Sequence, residues 1–127
     1  MRALAAVAAL AVAGCVAQPT GVQAQFEAFA SNAATAEIMA DICPQYRTRS
    51  SIEAMTEQWV DVMLAAGHTE LDVLQAVQST DEDRVLDGVI ARMGREGVTP
   101  GDTDALCAYA GREVASGSPI GRLLRSG

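Results

Sequence analysis

No stretch of this chain alternates apolar and polar side chains long enough to make a half-buried strand, so helix is the regular structure open to it. Apolar residues recur at spacings of three and four, and glycine and proline cut the pattern into segments of about 10 to 20 residues. The expected fold is all-α, a small bundle of about five helices. A first segment runs from Gln25 to Cys43, with Phe26, Phe29, Ala30, Ala33 and Ala40 on one stripe and Ile38 and Ile42 off it. That spread suits a helix buried on more than one side, and Pro44 stops it at Cys43. The second segment is the clearest. Ser50-Ser51-Ile52-Glu53 offers a Ser-x-x-Glu capping box, and Ile52, Met55, Trp59, Val60, Met63 and Leu64 then mark one face up to Gly67.

A third helix opens at Thr69 with Asp72 and carries Leu71, Leu74 and Val77. Thr80 begins a fourth, with Asp81, Glu82 and Asp83 in the first turn, a buried face of Leu86, Val89, Ile90 and Met93, and Gly97 at its end. Val98-Thr99-Pro100-Gly101-Asp102 is a turn cluster. Asp102 or Thr103 caps a fifth helix bearing Leu106, Cys107, Ala110 and Val114. A last short helix is expected from Ser118-Pro119-Ile120, with serine as cap and proline at its first position. The aromatic residues are few (Phe26, Phe29, Tyr46, Trp59, Tyr109), so the core is built of small side chains, alanine above all.

The first 14 residues have another purpose. Arg2 precedes an apolar run from Ala3 to Gly14, about 12 residues long, where a spanning helix needs roughly 20. A positive start, a short apolar stretch and small residues at its end describe a secretory signal. Its end, Val12-Ala13-Gly14-Cys15, resembles the lipobox of bacterial lipoproteins: aliphatic, small, small, cysteine. Val12 stands where leucine is usual. The resemblance implies cleavage before Cys15, diacylglycerol on its sulfur and acylation of the freed amine. The alternative is a plain signal peptide cleaved elsewhere, near Ala17, with an incidental cysteine. On the lipoprotein reading residues 1–14 are signal peptide, residues 15–24 are the lipidated N-terminus and a flexible tether, and residues 25–127 are a single helical domain. By analogy with lipoprotein sorting, Val16 is not the aspartate that favours inner-membrane retention. The expected address is the cell envelope, lipid-anchored at the outer membrane and facing the periplasm.

An oxidising compartment gives the other two cysteines a meaning. Cys43 and Cys107, 64 positions apart, are expected to form one disulfide, worth roughly 4 kcal/mol in the chain-entropy model. Metal binding would need more ligands at recognisable spacing, and His68 is the only histidine. A redox-active pair lacks Cys-x-x-Cys.

The formal charge is −7, with no lysine. Such a chain is repelled by phosphate backbones and anionic headgroups, so nucleic acid is not an expected partner and membrane contact rests on the lipid. No nucleophile elbow, P-loop, dinucleotide glycine pattern, His-Glu-x-x-His or EF-hand loop occurs. Asp81-Glu82-Asp83 with Asp87 lacks the calcium ligand ladder, and, like Asp102 with Asp104, suits a helix cap better. His68 follows a helix-ending glycine, where it can meet the negative end of that helix. Trp59 is expected to pack in the core stripe, the alternative being a partly exposed contact site. No catalytic, metal or cofactor residues are assigned. If the disulfide brings the two regions together, Arg47 and Arg49 join Arg122 and Arg125 in a basic spot able to hold a carboxylate or phosphate, the alternative being surface ion pairs with surplus acids.

Leu106-Cys107, Gly111, Glu113 and Gly117-Ser118-Pro119-Ile120-Gly121-Arg122-Leu123-Leu124 resemble an uncharacterised family of small secreted alphaproteobacterial domains of unknown function. The likeness spans roughly Ile38 to Arg125 and is most specific in the tail. It implies the helical fold and the disulfide and supplies no activity. The expected function is a noncatalytic, lipid-anchored periplasmic protein, a protein-binding or envelope accessory module. The alternatives are a protective binder, such as an acid-stress chaperone or immunity-type inhibitor, and an enzyme of unknown class.

Overall fold

The computed structural model describes residues 21–127. The leader, the lipobox with Cys15 and most of the expected tether lie outside the described residues. In chain order come helix α1 (Val22–Ile42), strand β1 (Tyr46–Thr48), helices α2 (Ile52–Ala65), α3 (Glu70–Gln78), α4 (Glu82–Arg95) and α5 (Thr103–Ser116), a 3-10 turn (Gly121–Leu123) and strand β2 (Leu124–Ser126). The five α-helices and the Cys43–Cys107 disulfide agree with the sequence reading. Val22, Gln23 and Ala24, expected in the tether, are already helical, because none of them opposes helix and the break falls at Gly21.

The helix starts follow from local hydrogen bonding. Ser51 Oγ accepts from the Ala54 amide at 3.2 Å, Thr69 Oγ1 from Asp72 at 3.2 Å, and Asp102 Oδ1 from Ala105 at 3.0 Å. Two caps sit one residue later than expected. Ser51 rather than Ser50 caps α2, so Glu53 is out of register for a capping box. Asp81 rather than Thr80 caps α4, its carboxylate accepting from the Asp83 and Arg84 amides. A charged acceptor is the stronger partner for the positive end of a helix. The Thr80 hydroxyl instead donates back to the Ala76 carbonyl.

Helix α1 is the pillar of the bundle and touches every other helix and β1. Around its first half Phe26 packs with Trp59, Val73 and Ala76 of α2 and α3. Around its second half Ala36, Met39 and Cys43 pack with Leu106, Tyr109 and Ala110 of α5 and with Ile120 and Leu124 of the tail. Alanine at 33 and 36 lets neighbouring backbones approach α1 closely.

Two expectations are corrected here. The tail is not a helix: after the 3-10 turn, Leu124–Ser126 pairs antiparallel with Tyr46–Thr48. A segment of this length is too short to recover the cost of nucleating an α-helix, and pairing with β1 buries Leu124. In α4, Val89 is buried but Leu86 and Ile90, predicted on the buried face, are 49% and 57% exposed. Helix α4 packs mainly on α1, with Gly88 close to Ser31 and Arg92 donating to Asn32 Oδ1 at 2.6 Å. That rotation leaves Leu86 and Ile90 at the edge of the α1–α4 contact, where Leu86 lines a hollow with Ala30 and Ala34 and Ile90 stands across from Ile38 and Ile42. Leu71 and Leu74 of α3 are exposed for the same reason, with Val73 and Ala76 taking the inner face.

Candidate functional site

Two surface features stand out, one apolar and one basic, both near the C-terminal end of α1. The apolar one is a groove of about 490 Å³ between α1, α4 and the loop leading into α5. Ile38 and Ile42 of α1 form one wall, Ile90 and Met93 of α4 the other, with Val98 and Leu106 at its base. Ile42 is 45% exposed. The wall on α1 exists because Ile38 and Ile42 fall off the alanine stripe, the misfit visible in the sequence. The wall on α4 exists because Ile90 stands at the edge of the α1–α4 contact. Asp102 and Thr103 mark the groove's polar end, where Asp102 is occupied as the cap of α5.

The basic feature lies on the β1–β2 ribbon. Of the four arginines grouped from the sequence, Arg47 and Arg125 stand directly opposite each other in the strand register. Arg49 follows β1 and is exposed, its backbone N–H donating to the Leu123 carbonyl at 2.8 Å. Arg122 is turned to another use: its Nε donates to the Gly117 carbonyl at 2.8 Å, within the connection that ends α5. Beside the ribbon, Ala40, Asp41, Pro44, Tyr46, Arg47, Thr48 and Arg125 line an open hollow of about 560 Å³.

The remaining candidates have structural employment. Trp59 is in the core, edge-on to Phe26 at 4.8 Å and stacked with Phe29 at 6.1 Å. His68 is half-buried and its backbone N–H closes α2 on the Met63 carbonyl. Asp81 is the α4 cap, with Glu82 and Asp83 in the first turn. Among the described residues no three His, Cys, Asp or Glu side chains gather as metal ligands, and no helix is long and apolar enough to cross a membrane. Tyr109 of α5 is buried. Burial raises its phenol above the ordinary value of 10.0, the nearby Glu113 carboxylate adds to the rise, and Arg92 opposes it.

The tail motif resolves into architecture. Gly117 closes α5 in the left-handed conformation, at φ +63°. Ser118 Oγ accepts from the Gly121 amide at 3.0 Å and lies 3.4 Å from the Glu113 carbonyl, to which it donates. Gly121 sits so close to that carbonyl that any side chain there would overlap it. Each of these residue types fixes the angle at which the ribbon meets α5. Sequence reasoning missed the groove, because its walls come from segments about 50 residues apart and only the surplus isoleucines on α1 hinted at it.

No curated protein sequence and no solved structure matches this chain. One protein family matches it over residues 18–125.

Proposed function

The chain belongs to that family, a family of unknown function (DUF5333), and from its own residues we propose that it is a noncatalytic, lipid-anchored envelope protein that docks another protein through the groove between α1 and α4. The exposed isoleucines carry this reading. A half-exposed Ile42 and a more exposed Ile90 face one another across an apolar groove, where water gains nothing and a partner's apolar side chain would. Covering each would contribute about 0.8 to 1.5 kcal/mol, roughly half the value of burying a fully exposed isoleucine. Apolar walls without converging polar groups suit docking rather than chemistry.

The anchor is read from Val12-Ala13-Gly14-Cys15. Two or more acyl chains on Cys15 hold a protein stably where one does not. Val16 in place of aspartate favours the outer membrane, facing the periplasm. The tail's likeness to small secreted alphaproteobacterial domains agrees with export, and a disulfide is at home in that compartment.

Crosslinking in intact cells tests the docking half. The wild-type chain should give a discrete crosslinked species that Ile90→Asp abolishes while the protein keeps its abundance and helical circular dichroism. Survival of that species in Ile90→Asp and Ile42→Asp alike would overturn the groove as the contact. Mass spectrometry of the mature N-terminus tests the anchor. A diacylglycerol-modified, acylated Cys15 is expected, and an unmodified terminus downstream of it would refute the lipid.

A further inference from the structure

We propose that the outer face of the β1–β2 ribbon is an anion-binding surface for an acidic peptide segment of the docked partner. This deepens the docking reading by naming the partner's chemistry. Strand alternation sets the arrangement. Tyr46, Thr48 and Leu124 are turned toward the core, which leaves Arg47 and Arg125 on the outer face, directly opposed. Arg49, exposed, follows directly after β1, its backbone N–H on the Leu123 carbonyl. Two guanidinium groups therefore share one side of the ribbon, where opposed neighbours lie about 5 Å apart, with a third just past the end of β1.

The contrast with the other arginines points to a missing partner. Arg84 pairs with Glu27, Arg112 with Glu96, Arg92 donates to Asn32, and Arg122 donates to a backbone carbonyl. Arg95 also has no such partner among the described residues, but it lies in the last turn of α4, where the helix end favours a cation. Among the described residues, Arg47, Arg49 and Arg125 have neither an ion pair nor a side-chain hydrogen bond. They stand together in a chain with 16 acidic residues against 9 basic ones. Like charges placed opposite each other work against strand pairing. Asp41, in the hollow beside them, ion-pairs with neither Arg47 nor Arg125.

A guanidinium fork matches a carboxylate or a phosphate in a two-point geometry. Position favours a partner protein's carboxylates over the phosphates of the anchoring membrane. The ribbon follows the C-terminal end of α1, while the Cys15 side enters at its N-terminal end. The 21 residues of α1 separate the two by about 30 Å. The six bonds from Cys15 to Gly21 span at most about 20 Å.

The test uses the mature lipidated protein in detergent micelles and a fluorescein-labelled hexaglutamate peptide, followed by anisotropy, with hexaglutamine as the neutral control. Saturable binding of hexaglutamate alone is expected, weakening steeply between low and moderate salt. R47Q/R125Q should lose at least tenfold in affinity. R84Q/R95Q, the same charge change elsewhere, should bind within twofold of wild type. Equal binding by the two double variants, or none by wild type, would overturn the proposal. So would binding of phosphatidylglycerol vesicles or inorganic phosphate without binding of the peptide, which would reassign the surface to phosphate. Failure here with the Ile90-dependent crosslink intact removes only the ribbon's role. Peptide binding without that crosslink removes the groove and leaves the ribbon.

Discussion

Around the first half of α1 three aromatic rings, Phe26, Phe29 and Trp59, close the core, whereas around the second half the work is shared by a disulfide, a two-stranded ribbon and a glycine-tight turn. The first end relies on apolar area from a few large side chains, and it leaves Val62, Leu64, Leu71 and Leu74 at the surface. The second end buries Met39, Leu106, Tyr109, Ile120 and Leu124, with small residues, Ala36, Ala110 and Gly121, where backbones come close. There, covalent and hydrogen-bonded restraint is added to the apolar area. The two ends should therefore fail by different routes, although α1 runs through both.

The largest effect should come from the disulfide. Cys43→Ala with Cys107→Ala frees a loop spanning 64 positions, and stability should fall by about 4 kcal/mol. Chemical denaturation of the two forms measures it. Trp59 is the only tryptophan and sits at the other end. If the ends are independently packed, the native baseline of its emission stays put while the near-ultraviolet dichroism of Tyr109 weakens. Simultaneous loss of both signals before the main transition would show one indivisible core.

The reciprocal substitution, Trp59→Ala, should cost about 3 kcal/mol, the low end for a large aromatic because half-buried Phe29 can settle into the space. Intact disulfide and Tyr109 signals in that variant would sharpen the contrast. Next in size, Gly121→Ala forces a methyl against the Glu113 carbonyl. Displacing the turn should cost about 2 kcal/mol and free the β2 amides to exchange with solvent, as hydrogen exchange would report. An unchanged melting temperature would mean the tail motif does not hold the ribbon.

Legibility from sequence also divides along this line. Helix α2 was plain because Met55 and Trp59 share one face and Ser51 sits beside the expected cap. The starts of α3 and α5 were marked by Thr69 and Asp102. The disulfide followed from cysteine arithmetic once export was inferred. What could not be read was set by partners distant in sequence. The ribbon joins residues near 47 to residues near 125 through three-residue strands, too short to show alternation. The rotation of α4 depends on Gly88 meeting Ser31 and on Arg92 meeting Asn32, and neither pair has a local signature. The groove inherits that invisibility. The basic spot was placed in outline, but only the register separates outward Arg47 and Arg125 from Arg122, held on the Gly117 carbonyl.

A smaller effect, confined to alkaline solution, concerns Tyr109. Its folded-state pKa is raised by burial and by Glu113. The folded protein therefore holds its phenolic proton where the unfolded chain has released it. That contribution is fully present below the ordinary value of 10.0 and is lost as pH rises through the folded value. Stability should decline above about pH 10, and Tyr109→Phe should remove that part of the slope. Equal slopes in the two proteins would show that the buried phenol is not a source of alkaline lability.

The smallest effect has the opposite sign. Arg47 and Arg125 oppose one another in register with no acid paired to either. Arg47→Glu turns a repulsive cross-strand pair into an attractive one, so the melting temperature should rise by about 3 °C, from roughly 0.5 kcal/mol. The residue is exposed, and no buried contact is lost. A gain on removing a charge would mean that the ribbon carries Arg47 at a cost to its own pairing, as a surface kept for a ligand does. A fall in melting temperature would mean that Arg47 already has a stabilising role in the fold. The second end of α1 would then be restrained by charge as well as by its disulfide.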